Sequence, residues 1–316
     1  RIVRIMKDFS PLVEPFSIDE AFLDVSGCGN LFGSSPEIAL QLKNRIKDEV
    51  GVLCSVGVGP NKLLAKMAAG MQKPDGLTVL DLPDVPAKMW PLPVRELFGV
   101  GSRLEKRLRD LNIRTIGDLA AYPLPVLQKR FGLVGHVLHL SANGLDYSPV
   151  DPRSLERVKS IGHQITLSRD YYGYDVIEVV ILELCEIVCR RVRLGGYSGR
   201  TVNLTLKDVE FLWISRARTL PQPTACAVDV YRVAVELLHR HWPSWKPVRM
   251  IGVSLGGLVK NAPEQMDLFG EKERTRRLHA ACDWIKDRFG EQSILRAVSL
   301  TPAGVFRDRK GENGHG

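Results

Sequence analysis

Val13-Glu14-Pro15-Phe16-Ser17-Ile18-Asp19-Glu20-Ala21-Phe22-Leu23-Asp24-Val25 reads as two short extended runs, Val13–Ile18 and Ala21–Val25, meeting at adjacent carboxylates. Neighbouring side chains on a regular strand point to opposite faces. Asp19 and Glu20 therefore converge on one cation only where the chain bends, as at the tip of a hairpin. Two exposed carboxylates in such a bend suit Mg²⁺, a hard cation that takes a few carboxylates together with substrate phosphates. An Asp-Glu pair alone reads equally as a solvated acidic turn, so the surroundings decide between the two.

Working outward, the pattern after the hairpin predicts an amphipathic helix from Pro36 to Val50, with Ile38, Leu42, Ile46 and Val50 on one stripe. A buried strand, Leu53–Val58, and a helix from Lys62 to Gln72 follow. Hairpin, helix, strand and helix in that order imply an α+β layer with helices over a sheet. Upstream, Arg1–Lys7 reads as the end of a helix already under way, closed by Ser10-Pro11.

Ser17-Ile18-Asp19-Glu20-Ala21-Phe22-Leu23-Asp24 closely resembles the signature of the Y-family (DinB/UmuC-type) translesion DNA polymerases. The resemblance implies that Asp19 and Glu20 are palm-domain carboxylates for two-metal nucleotidyl transfer with two Mg²⁺ ions. Asp19 would bridge both ions and Glu20 would hold the one nearer the primer. Val56-Gly57-Val58-Gly59-Pro60-Asn61-Lys62-Leu63-Leu64-Ala65-Lys66 leading into Lys73-Pro74-Asp75-Gly76 resembles the family's palm as well. On that match Lys73 is the contact to the nucleotide triphosphate; by itself it reads as a surface lysine favoured by a helix C-terminus. Lys62 and Lys66 are weaker candidates, equally readable as a solvated face. In the family another metal-binding Asp, a group of aromatic residues and the fingers lie upstream, and nothing here matches them. The expectation is a polymerase fragment lacking its first palm strand and fingers, and inactive alone.

The Pro-rich run Asp81–Pro93 is expected to mark a domain boundary. Val94-Arg95-Glu96-Leu97-Phe98-Gly99-Val100-Gly101-Ser102-Arg103-Leu104 looks like a helix–hairpin–helix. Backbone N–H groups around Gly99 and Gly101, with Arg103, Lys106 and Arg107 on the basic helix behind them, would take one DNA phosphate. A Gly-x-Gly turn is otherwise common between helices. Leu127–Asn143 reads as a further helix and resembles the end of the family's thumb. His136 and His139 on it have no third ligand in sight and read as helix-surface histidines.

Asp151–Arg157 reads as a tether. Beyond it come strand Lys159–Leu167, helix Val176–Leu194, strands Arg200–Leu206 and Phe211–Arg216, helix Ala227–His239 and strand Val248–Leu255. This order suggests a second α+β module, with helices on one face of a mixed sheet. Lys159-Ser160-Ile161-Gly162-His163 resembles the start of the little finger, the family's extra DNA-binding domain. Arg193, Arg200, Arg216 and Arg218 are its phosphate candidates, with helix-surface or fold roles as the alternative. Glu264-Gln265-Met266-Asp267-Leu268-Phe269-Gly270 looks like the peptide by which bacterial polymerases bind the sliding clamp. In it Gln265 would sit at the groove rim while Leu268 and Phe269 fill an apolar pocket; the alternative is a loop tucked into its own core. A last helix with the stripe Leu278, Ala281, Cys282, Ile285 and Phe289 precedes an expected strand, Ile294–Leu300. This tail resembles the Gram-positive UvrX-like branch.

The expected architecture is thus α+β and multidomain. It comprises a partial palm (1–80), an all-helical thumb with a helix–hairpin–helix (81–150), a tether (151–158), a little finger (159–260), a clamp peptide with C-terminal helix and strand (261–303), and a disordered tail (304–316). The totals agree with this reading. The 316 residues exceed one compact core, and the net charge of +8 favours a polyanionic partner. Six scattered cysteines form no metal-ligand pair, with Cys185 and Cys189 among apolar neighbours as core thiols. The absence of a long uncharged apolar run argues against a membrane partner, and the thiols fit the cytoplasm. The expected function is template-directed, lesion-tolerant DNA synthesis, with primer-template DNA, deoxynucleoside triphosphates and the sliding clamp as partners. The alternative is a non-catalytic, clamp-bound DNA-binding accessory subunit of a mutasome. A general helix–hairpin–helix repair protein leaves the Ser17–Asp24 signature unexplained.

Overall fold

The computed structural model describes residues 1–154, 156, 158–261 and 271–305. Two compact units divide the chain, residues 1–157 and 158–316.

The first unit opens with α1 (Ile2–Lys7) and the antiparallel hairpin of β1 (Val13–Pro15) and β2 (Ala21–Leu23), in the register Val13↔Leu23 and Pro15↔Ala21. The strands are shorter than the sequence pattern suggested, so Phe16 to Glu20 form the turn between them. A short α2 (Gly29–Phe32) precedes α3 (Ser35–Val50). Ser34 and Glu37 form a capping box at the start of α3, and Gly51 at φ 81° ends it. Ile38, Leu42 and Ile46 of the expected stripe are buried against Ile5, Met6, Phe9 and Val13.

β3 (Val56–Val58) pairs in parallel with β4 (Leu77–Val79), and α4 (Lys62–Met71) makes the crossover that parallel neighbours require. Asn61 caps α4 through its side-chain oxygen, which accepts from the Leu64 N–H at 2.9 Å. The helix lies directly on the strand. A Cβ on Gly57 would fall 2.0 Å from the Ala65 carbonyl oxygen, so only glycine fits there.

The Pro-rich run is no loose linker. It folds into a 3₁₀ turn (Leu82–Asp84) and a π-helical turn (Val85–Met89), whose Val85 and Met89 share one core with Leu63, Leu64 and Met67 of α4. The expected boundary at residue 81 is therefore continuous in packing. A single 3₁₀ turn, Val94–Glu96, is the first arm of the helix–hairpin–helix, and α5 (Ser102–Arg109) is the second. α6 (Ile116–Ala121), α7 (Leu124–Phe131) and α8 (Leu133–Ala142) complete the unit. The single helix expected over Leu127–Asn143 breaks at Gly132, whose φ of 64° and ψ of −140° no helix accommodates.

The second unit is a sheet with two long helices on one face. Its elements run β5 (Ser160–Tyr171), α9 (Tyr174–Leu194), β6 (Tyr197–Lys207), β7 (Trp213–Thr224), α10 (Ala227–His241), β8 (Val248–Gly256) and a short β9 (Val259–Lys260). The order is β5-β8-β6-β7, with β9 added to β6, and every pair is antiparallel. The mixed sheet expected from the sequence is thus corrected. The α9 crossover leaves β5 and β6 parallel but not adjacent, and β8 enters between them antiparallel to both.

Strict alternation divides the two faces. Val202, Leu204 and Leu206, paired with Leu255, Val253 and Ile251, are buried in the core beneath α9 and α10. The opposite face carries Gly162, Gln164, Thr201, Asn203, Thr205, Gly252 and Ser254. α11 (Glu271–Phe289) follows, and the strand expected over Ile294–Leu300 is instead a 3₁₀ turn, Ala297–Leu300. This segment lies against α9, which offers no strand edge, and Arg296 Nε donates to Glu186 Oε1 at 2.6 Å. Val305, expected in an unstructured tail, donates its N–H to Glu183 and packs on the core. Residues 306–316 lie outside the described residues.

Candidate active site

The hairpin tip is closed by its own backbone. The N–H groups of Phe16 and Ser17 both donate to the Glu20 carbonyl, at 2.8 and 3.1 Å. This bend breaks the strand alternation and leaves Asp19 and Glu20 exposed on one turn. Ser17 Oγ donates to Asp19 Oδ1 at 2.7 Å. That bond, with Asp19's own N–H and the nearby ammonium groups of Lys73 and Lys66, holds the Asp19 carboxyl below its ordinary range.

Glu20 Oε2 pairs with Lys66 Nζ at 2.7 Å. The same ammonium lies 5.1 Å from the ring centroids of both Phe16 and Phe98, so it is held between hairpin and thumb loop by two aromatic faces. One turn earlier on α4, Lys62 pairs with Glu14 at 2.8 Å and donates to the Pro149 carbonyl. Glu14 also accepts from the Asp151 N–H at 2.8 Å, which straps the chain leaving the unit onto β1.

Lys66 and Lys62, read from sequence either as weaker phosphate candidates or as a solvated face, are a carboxylate partner and a largely buried strap. Their i, i+4 spacing on an otherwise apolar helix was the available signal, but only the fold shows which carboxylate each one meets. Asp19, Glu20, Lys66 and Lys73 come together. Phe98 and Glu14 were not singled out by the sequence at all.

The donor set suits a hard divalent cation: two exposed carboxylates, with room for substrate oxygens. Among the described residues, no group of three or more His, Cys, Asp or Glu side chains gathers as a metal site.

In the thumb loop, Gly99 takes φ 92° and both Gly99 and Gly101 have open space where a Cβ would project. No side chain caps the N-terminus of α5, so its first N–H groups face outward. Arg103, Lys106 and Arg107 are exposed, with the Arg107 guanidinium 4.7 Å from the Phe131 ring.

The arginines of the second unit need correction. Arg193 is committed inside the unit: it makes two bonds to Asp283 of α11, at 2.7 and 2.9 Å, and one to the Ala225 carbonyl. Arg216 and Arg218 pair across the strands with Leu204 and Val202, so they point to the helix side of the sheet, where Arg218 meets Glu236. Arg200 is exposed and donates to the Leu220 and Pro221 carbonyls. Counting every second residue on β6 and β7 separates these arginines from the open face, but requires the strand pairing to be known. Gln265, Leu268 and Phe269 lie outside the described residues.

The chain matches the impB/mucB/samB family over residues 1–70, the C-terminal domain of that family over 158–268, and the thumb domain of DNA polymerase iota over 95–146. It is 82% identical to DNA polymerase IV of Pelotomaculum thermopropionicum over 316 residues, all of this chain and 79% of that one. To a Bacillus subtilis protein named for UV-damage repair, UvrX, it is 35% identical, over 99% of this chain and 76% of that one. A solved Y-family DNA polymerase chimera superimposes with a TM-score of 0.70 at 29% identity, covering 83% of this chain and 75% of the other. The chain belongs to the Y family of DNA polymerases.

Proposed function

We propose that this chain carries the palm carboxylates, thumb and little finger of a template-directed, lesion-tolerant DNA polymerase acting in translesion synthesis and repair. The carrying observation is the exposed Asp19–Glu20 pair on a closed hairpin tip, with the Lys66 ammonium paired to Glu20. Residues 1–80 are the palm, 81–150 the thumb and 159–260 the little finger. Asp19 and Glu20 would hold two Mg²⁺ ions, which would activate the primer 3′-hydroxyl and steady the leaving pyrophosphate.

The remaining work falls to the protein's own groups. Lys73 meets the triphosphate, and Ser17 orients the Asp19 carboxylate by donating to it. Backbone N–H groups at Gly99–Gly101, with Arg103, Lys106 and Arg107, take a phosphate without reading sequence. The open sheet face, built of Gly, Ser, Thr, Asn and Gln, is flat and polar enough to lie against a duplex. It replaces Arg193, Arg216 and Arg218 as the little-finger contact. Gln265, Leu268 and Phe269 are the proposed hook for the sliding clamp, in a cytoplasmic protein. Among the described residues no helix is long and apolar enough to cross a membrane.

A second reading starts from the pair itself: among the described residues, Asp19 and Glu20 are joined by no third metal-holding side chain. On it, residues 1–316 bind primer-template DNA without extending it, as an accessory subunit would. Primer extension tests both. The intact gene product should extend a primer and lose that activity on Asp19→Ala, while residues 1–316 alone should shift primer-template DNA on a gel without extending it. An intact product that binds but never extends would establish the accessory role instead.

A further inference from the structure

Lys43, on the inner side of α3, has a side chain only 11% exposed, and its ammonium is surrounded by oxygen. It lies 3.0 Å from the Cys54 carbonyl, 2.5 Å from the Asp75 carbonyl, 2.6 Å from Asp75 Oδ1 and 3.2 Å from the Gly76 carbonyl. A lysine pays side-chain entropy and desolvation to be held this way, and three of its four acceptors belong to one loop. That loop, residues 72–76, joins α4 to β4 and carries Lys73.

The loop needs an outside anchor. Asp75 adopts φ 56°, a left-handed conformation that Asp enters more readily than most residues with a Cβ. Gly76 is pinned from the other side: a Cβ there would fall 2.0 Å from the Gln72 carbonyl, and its N–H donates to Ser55 Oγ at 3.2 Å. Its carbonyl accepts the Val56 N–H at 3.0 Å, tying the loop to the start of β3. Lys43 neutralises Asp75 and gathers the two loop carbonyls at one point. The chain two residues after Lys73 is thereby fixed to α3, a helix held in the core beside the hairpin.

We infer that Lys43 is a positioning residue for Lys73: it fastens the 73–76 loop and so fixes the backbone from which the Lys73 side chain projects. This rests on the reading of Lys73 as the triphosphate contact. Lys43 touches neither substrate nor hairpin, and acts only through the loop.

The test is steady-state primer extension by the intact gene product carrying Lys43→Met, Lys43→Arg, Lys73→Ala, or Lys43→Met with Lys73→Ala. Lys43→Met should raise the KM for the incoming nucleotide about tenfold, the scale of one charge-assisted contact, with kcat changed less. Lys43→Arg should recover much of the loss, and the double variant should be no worse than Lys73→Ala alone. An unchanged KM in Lys43→Met, or an effect that multiplies with Lys73→Ala, overturns the inference.

Amide hydrogen exchange at Asp75 and Gly76 separates the two readings. If Lys73→Ala leaves KM unchanged, the triphosphate role fails. Faster exchange confined to this loop in Lys43→Met would still support the anchor, and unchanged exchange would refute it. Should Lys43→Met fail to fold, Asp75→Asn removes only the charged partner. It is expected to move KM and exchange in the same direction, and no movement in either counts against the anchor.

Discussion

At the residue scale, the hairpin tip shows why neighbouring carboxylates behave differently. Asp19 is bonded by Ser17 and lies near two ammonium groups, whereas Glu20 is paired outright with Lys66. A carboxyl held below its ordinary range stays charged into mild acid, and any stability it contributes is lost only as pH falls through that lowered value. Ser17→Ala removes the largest cause of the shift, so the Asp19 pKa should rise toward the ordinary carboxylate range. A carboxyl ¹³C titration of Asp19 in the two proteins checks this directly, and identical curves would show that Ser17 does not hold the charge. Asp19 and Glu20 were legible because the eight-residue signature around them is local. Lys66 was not, since its partner lies 46 positions away and the contact depends on how α4 settles on Gly57 of β3 and on Gly59 just after it.

At the scale of elements, two helices use lysine and arginine as packing residues, and periodicity alone does not reveal that. α4 places Lys62 against Glu14, with side chains 17% and 10% exposed, and the Asp151 N–H completes the arrangement. Lys62→Met leaves that carboxylate buried without its cation and should cost about 3 kcal/mol in urea denaturation. A loss below about 1 kcal/mol would mark the strap as peripheral. α11 carries the apolar stripe read from the sequence, but Leu278 and Phe289 are 59% and 64% exposed. The helix meets α9 through charge instead, with Asp283 and Asp287 on Arg190 and Asp283 on Arg193. The stripe's existence follows from spacing; which face docks follows from arginines some ninety residues upstream. Arg193→Ala should therefore speed amide exchange along α11 while leaving DNA affinity within about twofold, because Arg193 is not free to meet a phosphate. A large drop in affinity without faster exchange would restore Arg193 as a DNA contact.

At the scale of the whole molecule, the +8 charge and the small polar residues of the open sheet face make different contributions to DNA binding. Charge supplies affinity through counterion release, so binding should weaken steeply with salt. Removing one proposed phosphate contact, as in Arg103→Ala, should reduce the slope of log K against log salt by about one. The open face supplies shape more than charge: Gly252 and Ser254 of β8 lie between Gly162 and Gln164 of β5 and Asn203 and Thr205 of β6, with Lys207 and Met250 at one end. The alternation was legible, since Val202, Leu204 and Leu206 mark the buried side in sequence. That β8 enters between β5 and β6 was not, and without it the arginines looked the better contact. Ser254→Glu sets the two accounts against each other. A carboxylate in the middle of the valley would face the phosphates of a bound duplex, whereas Arg218→Ala removes a charge already paired with Glu236 on the helix side. Ser254→Glu should weaken primer-template binding at least tenfold at low salt, with a smaller penalty as salt screens the repulsion. Arg218→Ala should change affinity less than twofold at any salt. Fluorescence anisotropy with labelled primer-template reads both, and the reverse ranking would return the contact to the β7 arginines.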